Sequence, residues 1–443
     1  MSVDAPIRDA VTVVLQHDGE LFMIRRQPAL PAFPGYWAFP GGKVDPEDRA
    51  EAARDHASFA GIEPVFVAAL VRELLEEVGY DLDAAVARGE VLDLHFFGIA
   101  LMPPIAPVRF NTHFFRVRLR ERPTFTLDLG EVDRGEWAPV GTWLSQYREG
   151  RLLLAPPTRY ALELFESDDS LAAGLAALDV LHAERMPILE PVHGVRVMNV
   201  RSNTLPPASH TNCFLIGDAP GARLLVDPSP ANTGERDAVI ARVKDLGVSE
   251  VFLTHHHPDH RQFANDIARA LNVPIGMSAD TQARIRAREP GFLDGLDVRT
   301  HGEGEEVARW LSRPVRVYAV PGHDEGQLAL MPDDRAWCIV GDLIQGIGTV
   351  VIAKPEGHMG RYFASLQRLI DLDPAVIFPS HGMGMGSTFR LSETLKHRRM
   401  REATVQQMYR EGRSIDEMLK AIYVGVDPRL MPLARMNIEA HLD

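Results

Sequence analysis

Thr254–His260 reads THHHPDH, four histidines and one aspartate in seven residues. The run before it, SEVFLT, has the apolar, β-branched and aromatic make-up of a buried strand, and Pro258 bends the chain away from it. Where a strand ends, alternate side chains leave on the same side, so His255 and His257 share a direction. Asp259 and His260 follow on the turn. The resulting HxHxDH pattern is imidazole and carboxylate at metal-ligand spacing, too dense for an ordinary core. His256 falls outside the pattern and is expected either in solvent or behind the ligands, not among them.

If this stretch binds metal, further ligands belong at the ends of later strands, where open α/β sheets build their sites. Three such ends occur: VRVYAVPGH closes on His323, AWCIVGD on Asp342, and AVIFPSHG carries His381. His193, His210, His301, His358 and His397 lack this shared context. An earlier strand-like run, LLVDPSP, carries Asp227 at its end.

Together these motifs resemble the metallo-β-lactamase superfamily over roughly residues 190–443. The resemblance implies an αββα sandwich, with Asp227 matching the family's early aspartate turn. It further implies that His255, His257 and His323 hold one metal, that Asp259, His260 and His381 hold a second, and that Asp342 bridges them. The donors suit two Zn²⁺, or Fe or Mn. Two such ions about 3.5–4 Å apart lower the pKa of a shared water and clamp the substrate oxygen, and Asp259 orients that water or accepts its proton. The implied reaction is hydrolysis of a thioester, ester or phosphodiester. LKHRRMREATV (Leu395–Val405), with a tail ending in LARMNIEAHL, looks like the branch containing beta-lactamase-like protein 2 and the glyoxalase II-like hydrolases. That branch carries a small C-terminal helical, winged-helix-like module. Arg398 and Arg401 there read either as an anion-binding pair or as plain surface charges.

A second cluster lies far upstream, in RELLEEVGY (Arg72–Tyr80). Glu73, Glu76 and Glu77 stand at i, i+3 and i+4, one face of a helix, where like charges repel unless a cation compensates. The string, preceded by FPGGKVD, resembles the Nudix box, over roughly residues 5–165. The resemblance implies an α/β/α sandwich in which the three glutamates bind Mg²⁺ or Mn²⁺. Glu76 and Glu77 would act in catalysis, Arg72 would orient a glutamate, and Gly41 and Gly42 would let backbone approach closely. Water would then attack a diphosphate linkage. Gly42 and Arg72 stand about twice as far apart as is usual for the box. Counted back from Arg72, the box's first glutamate falls on Pro64, with Glu63 one position off. A long insertion here, RFNTHFF and PPTRYALELF look like the coenzyme A diphosphatase branch, although Asn111 and His113 replace the expected aspartate and arginine.

The expected organisation is therefore α/β and α+β: a Nudix domain at 5–165, a linker with a connecting helix at 166–190, a metallo-β-lactamase-fold domain at 191–392 and a helical module at 393–443. At 443 residues, 45% hydrophobic and 24% charged, the chain has ample core for this. The net charge of −14 argues against a nonspecific nucleic-acid surface. It ranks RNA below a small anionic substrate such as a coenzyme A ester, a nucleotide diphosphate derivative or another thioester. Two cysteines, Cys213 and Cys338, both in strand-like runs, read as core residues of a reducing compartment. With no secretory leader pattern and no membrane-length apolar run, a cytoplasmic location is expected. The leading expectation is a bifunctional metal-dependent hydrolase. Its alternatives are a C-terminal endoribonuclease or phosphodiesterase, and a Nudix half that binds ligand without turnover.

Overall fold

Asp18 and Gly19, with φ of 44° and 77°, turn the strand Ile7–His17 back into Glu20–Arg26. This is the two-residue hairpin that an Asp-Gly pair between apolar runs dictates. The computed structural model describes residues 7–51, 61–102, 109–167 and 186–442. The chain divides into two compact units, Met1–His193 and Gly194–Asp443.

In the first unit Ile7–His17 lies at the centre of a sheet, antiparallel to Glu20–Arg26 and parallel to Arg109–Leu119, which pairs in turn with Val91–Leu101. Its alternating side chains feed two cores. Val11, Val13 and Leu15 meet Phe66, Leu70, Leu74 and Val78 of the helix Pro64–Val78. On the opposite face Val14 joins Trp143, Leu162 and Phe165 of the helices Val140–Arg148 and Pro156–Ser167. The result is a sheet with helices on both faces. Gly79, at φ 65°, caps the first helix through a hydrogen bond from its N–H to the Leu75 carbonyl. Most of the expected linker, residues 168–185, lies outside the described residues.

The second unit holds two sheets. In one, the strands Val298–Thr300, Ile275–Met277, Glu250–Phe252 and Leu224–Val226 run parallel, followed by the antiparallel His210–Ile216 and Val195–Arg201. The other runs Glu306–Trp310, Arg313–Ala319, Leu328–Pro332, Cys338–Ile339, Val376–Phe378, Met385–Gly386. Phe214 and Phe378, one from each sheet, meet edge to face with centroids 5.9 Å apart. Cys213 and Cys338 are buried and unbridged. The helix Thr233–Val243 stops short of Gly247, which, at φ 69°, turns the chain toward the next strand.

Three helices form the tail: Phe389–Arg410, Ile415–Ile422 and Met431–His441. The Ser414–Glu417 capping box is complete. No strand occurs among the described residues past 393, so the wing of a winged helix is missing and the module is helical only. Among the described residues no helix is long and apolar enough to cross a membrane.

Candidate metal centre

The strand Glu250–Phe252 delivers the histidine cluster, and Pro258 opens the short helix Pro258–Arg261 directly after it. His255 Nε2 lies 3.0 Å from His257 Nδ1, and His323 Nε2 lies 3.1 Å from the same atom. The edge of a tetrahedral nitrogen site around zinc is about 3.3 Å, from Zn–N bonds of about 2.0–2.1 Å. Asp259, His260 and His381 form a second trio, and each trio's donor atoms all lie within 4.8 Å of one another. Asp342 stands between them. Its Oδ1 is 3.5 Å from His381 Nε2 and 3.7 Å from His260 Nε2, while its Oδ2 is 3.8 Å from His323 Nε2. One oxygen thus faces each trio. The structure therefore brings together all seven residues expected from the sequence.

The outward ring nitrogens are held in place. Backbone carbonyls can only accept, so the contacts of His323 Nδ1 with the Val351 carbonyl and of His381 Nδ1 with the His210 carbonyl, both 2.9 Å, put the proton on Nδ1. The Nε2 lone pairs are then left pointing inward. Asp227 does the same for His260, with Oδ2 2.9 Å from Nδ1, and also accepts from the Thr254 N–H and hydroxyl. His323, His381 and His260 thus each carry the kind of outer partner that fixes a metal-bound imidazole.

Electrostatics differ between the trios. Against burial, Asp259 and Asp342 raise His260 well above the usual histidine range and raise His381 as well, so an ion there would displace protons, whereas His255 and His257 of the first trio are already poised to donate. Burial, then the neighbouring imidazoles, holds His255 well below the usual histidine range. Burial and His323 push His257 down to about 3. Both rings are neutral, as ligands must be. Burial opposes the Asp342 carboxylate, yet His381 and His260 beside it keep it ionised. His260 Nε2 and Asp342 Oδ1 are buried without a hydrogen-bond partner. Such orphaned polar atoms are costly unless a cation satisfies them, so the donor set fits a pair of divalent ions.

Of the two places open to His256, the structure takes the one behind the ligands: it is fully buried and its Nδ1 faces the carboxylate of Asp324, itself fully buried. Asp324 also accepts from the Gly326 N–H at 2.7 Å and gathers with His256 and His257. Sequence reasoning passed over Asp324, although an aspartate directly after a candidate ligand histidine was a usable signal. Arg398 is also buried and is no surface charge.

In the first unit the helix Pro64–Val78 buries Glu73 and Glu77, while Glu76 stays exposed. Glu77 Oε2 accepts the Gly41 N–H at 2.8 Å, and a Cβ on Gly42 would stand 2.3 Å from Glu73 Oε1. The two glycines therefore admit the carboxylates. Burial, opposed by Arg72, raises Glu73 to about 7, and burial, opposed by the Gly41 N–H and Arg26, raises Glu77 to about 8. Among the described residues, the groups of three donors within 4.8 Å all lie in the second unit, and the glutamates are not gathered into one.

Arg72 reaches Glu73 Oε1 at 2.9 Å and Glu76 Oε2 at 2.8 Å, but its main partner is Asp48, whose two oxygens it grips at 2.9 Å each. Asp48 lies six positions after Gly42, where the box counted forward places its first acid. Glu63 is an exposed helix-flanking residue that makes no side-chain cap. The insertion therefore falls between Asp48 and Arg72, and counting back across it misplaced the acid.

Comparison with known proteins follows this division. Residues 206–381 match the metallo-beta-lactamase superfamily and residues 6–55 match the NUDIX domain. Beta-lactamase-like protein 2 homolog of Drosophila melanogaster is 25% identical over 52% of this chain and 80% of its own. Hydroxyacylglutathione hydrolase of Acidiphilium cryptum is 31% identical over 35% of this chain and 58% of its own. Atrochrysone carboxyl ACP thioesterase of Emericella nidulans is 22% identical over 62% and 83%. Among solved structures, a NUDIX hydrolase from Alicyclobacillus acidocaldarius is 26% identical over 37% of this chain and 93% of its own, with a TM-score of 0.31.

Proposed function

We propose, for a chain that joins an N-terminal Nudix domain to a C-terminal metallo-β-lactamase domain, both of hydrolase families, that it is a bifunctional metal-dependent hydrolase. The C-terminal half would cleave a thioester or ester of a small anionic substrate, and the Nudix half a diphosphate linkage. The observation that carries the reading is the convergence of two donor trios on a shared Asp342.

His255, His257 and His323 would hold one ion, Asp259, His260 and His381 the other, and Asp342 both. Two Zn²⁺, or Fe or Mn, would supply hydroxide near neutral pH and polarise the carbonyl under attack. Asp259 is only partly buried, its side chain 19% exposed. Its carboxylate orients the attacking water and takes its proton. Asp227 keeps the His260 lone pair turned inward throughout. In the Nudix half Glu73, Glu76 and Glu77 would bind Mg²⁺ or Mn²⁺ beside a diphosphate. Asp48 supplies the acid that the lengthened box lacked, which supports turnover over mere binding.

A thioester is favoured because relatives carry the names hydroxyacylglutathione hydrolase and ACP thioesterase. A panel of coenzyme A esters, acylglutathiones, nucleotide sugars and short RNA tests the reading on wild type, Glu76→Gln and His257→Ala. Thiol release lost in His257→Ala alone, and diphosphate cleavage lost in Glu76→Gln alone, are expected. RNA cleavage lost in His257→Ala, with thioesters untouched, would replace the thioester reading by a nuclease.

A further inference from the structure

We infer that Arg398 and Asn437, on two helices of the C-terminal module, are positioning residues for the metal ligand His323; this rests on the dinuclear centre proposed above. The link runs through a single carbonyl. His323 Nδ1 donates to Val351 O at 2.9 Å, so the placement of Val351 sets both the tautomer and the ring plane of His323. Val351 lies in an irregular stretch without ladder bonds of its own.

The tail helices hold that stretch from both sides. On one side Arg398 donates to the Val350 carbonyl and, at 3.3 Å, to the Thr349 hydroxyl. On the other, Asn437 Oδ1 accepts the Ile352 N–H at 3.0 Å and also receives Arg398 Nη1 at 3.3 Å. Val350 and Ile352 are themselves buried in one core with Leu391, Leu395 and Ala440 of the same helices. The residues flanking Val351 are thus pinned by polar and apolar contacts alike.

A second arm reaches the bridging carboxylate. Arg398 lies over the Tyr362 ring, 5.8 Å from its centroid, and the Tyr362 hydroxyl donates to the Leu343 carbonyl at 2.8 Å, next to Asp342. Arg398 and Asn437 are only 6% and 5% exposed, which rules out direct capture of substrate by Arg398 and explains a charge buried there. A buried guanidinium needs acceptors in fixed places, and here they are the Val350 carbonyl, the Thr349 hydroxyl and Asn437 Oδ1, which surround the residue that orients a ligand.

The test is Zn²⁺ binding to the full chain, measured by competition with a coloured chelator, on wild type, Asn437→Leu, Asn437→Asp and Arg401→Ala. Asn437→Leu should weaken one of the two ions by up to about tenfold, the low end of the cost of losing a ligand's outer partner, since the Val351 carbonyl is loosened rather than removed. Asn437→Asp keeps the acceptor and should restore affinity close to wild type, and Arg401→Ala should leave it unchanged. With substrate, Asn437→Leu should lower kcat more than it raises KM. If Asn437→Leu does not fold, Arg398→Lys takes its place, retaining the charge but losing the fork. Two tightly bound ions in wild type and unchanged affinity in the variant would overturn the inference alone. A wild type that binds no Zn²⁺ would overturn the dinuclear reading with it.

Discussion

Asp227 illustrates what a single residue does here. It sits at φ 49°, a left-handed conformation that aspartate and asparagine tolerate better than most residues, and from there its carboxylate reaches both Thr254 and His260. Asp227→Asn keeps the backbone and exchanges one acceptor for a donor. It is expected to weaken metal binding about ten- to a hundredfold, read as zinc retained after dialysis against chelator. Little change in retention would show that His260 needs no outer carboxylate. The candidate ligands were legible as a pattern because each sits at a strand end, one group beside a proline and three at later strand ends. His256 and Asp324 were not, since their pairing joins residues 256 and 324, and nothing in THHHPDH distinguishes a buried imidazole from a solvated one.

At the scale of the element, the Nudix helix depends on Asp48. Removing it in Asp48→Ala leaves the Arg72 guanidinium, mostly buried at 23% side-chain exposure, without its main partner. A loss of about 1–3 kcal/mol is expected from such a buried group, seen as a lower urea midpoint. No shift would mean that Glu73 and Glu76 suffice. Gly42→Ala would press a methyl against the Glu73 carboxylate and should abolish diphosphate cleavage without unfolding the unit. A fully active Gly42→Ala would show that Glu73 is free to move aside.

Strand edges carry a pH-sensitive contact as well. His301 binds Glu250 at 2.6 Å and Glu305 at 2.8 Å, and although burial pulls the other way, these carboxylates raise its pKa. A histidine raised in the folded state stabilises below its unfolded pKa, near 6.5, and loses that contribution as pH rises through the folded value. His301→Gln should therefore lower the urea midpoint at pH 6 and converge on wild type by pH 9. A deficit that persists unchanged at pH 9 would mean that packing, not charge, is its role.

For the whole molecule, the chain forms two compact units, the second holding the gathered histidine and aspartate donors and the first the buried glutamates beside Gly41. Substitutions confined to one unit should leave the other's activity intact, so the paired Glu76→Gln and His257→Ala measurements also test independence. Loss of both activities in either variant would show that the sites are linked. Hairpin, helix cap, capping box and ligand spacing were all readable in the chain, because each is set by neighbours within a few residues: Asp18-Gly19, Gly79, Ser414 with Glu417, His255 with His257. By those short-range rules the amino-acid order alone marked the two clusters, and the family resemblances the clusters carry implied two α/β units and the class of chemistry. Only the folded chain decided which acid grips Arg72 across an insertion, that His256 faces Asp324, and that Arg398 turns inward to brace Val351. These are contacts between residues far apart in the chain, and burial, which decides whether a charge meets water or a partner, exists only once the chain has closed around them.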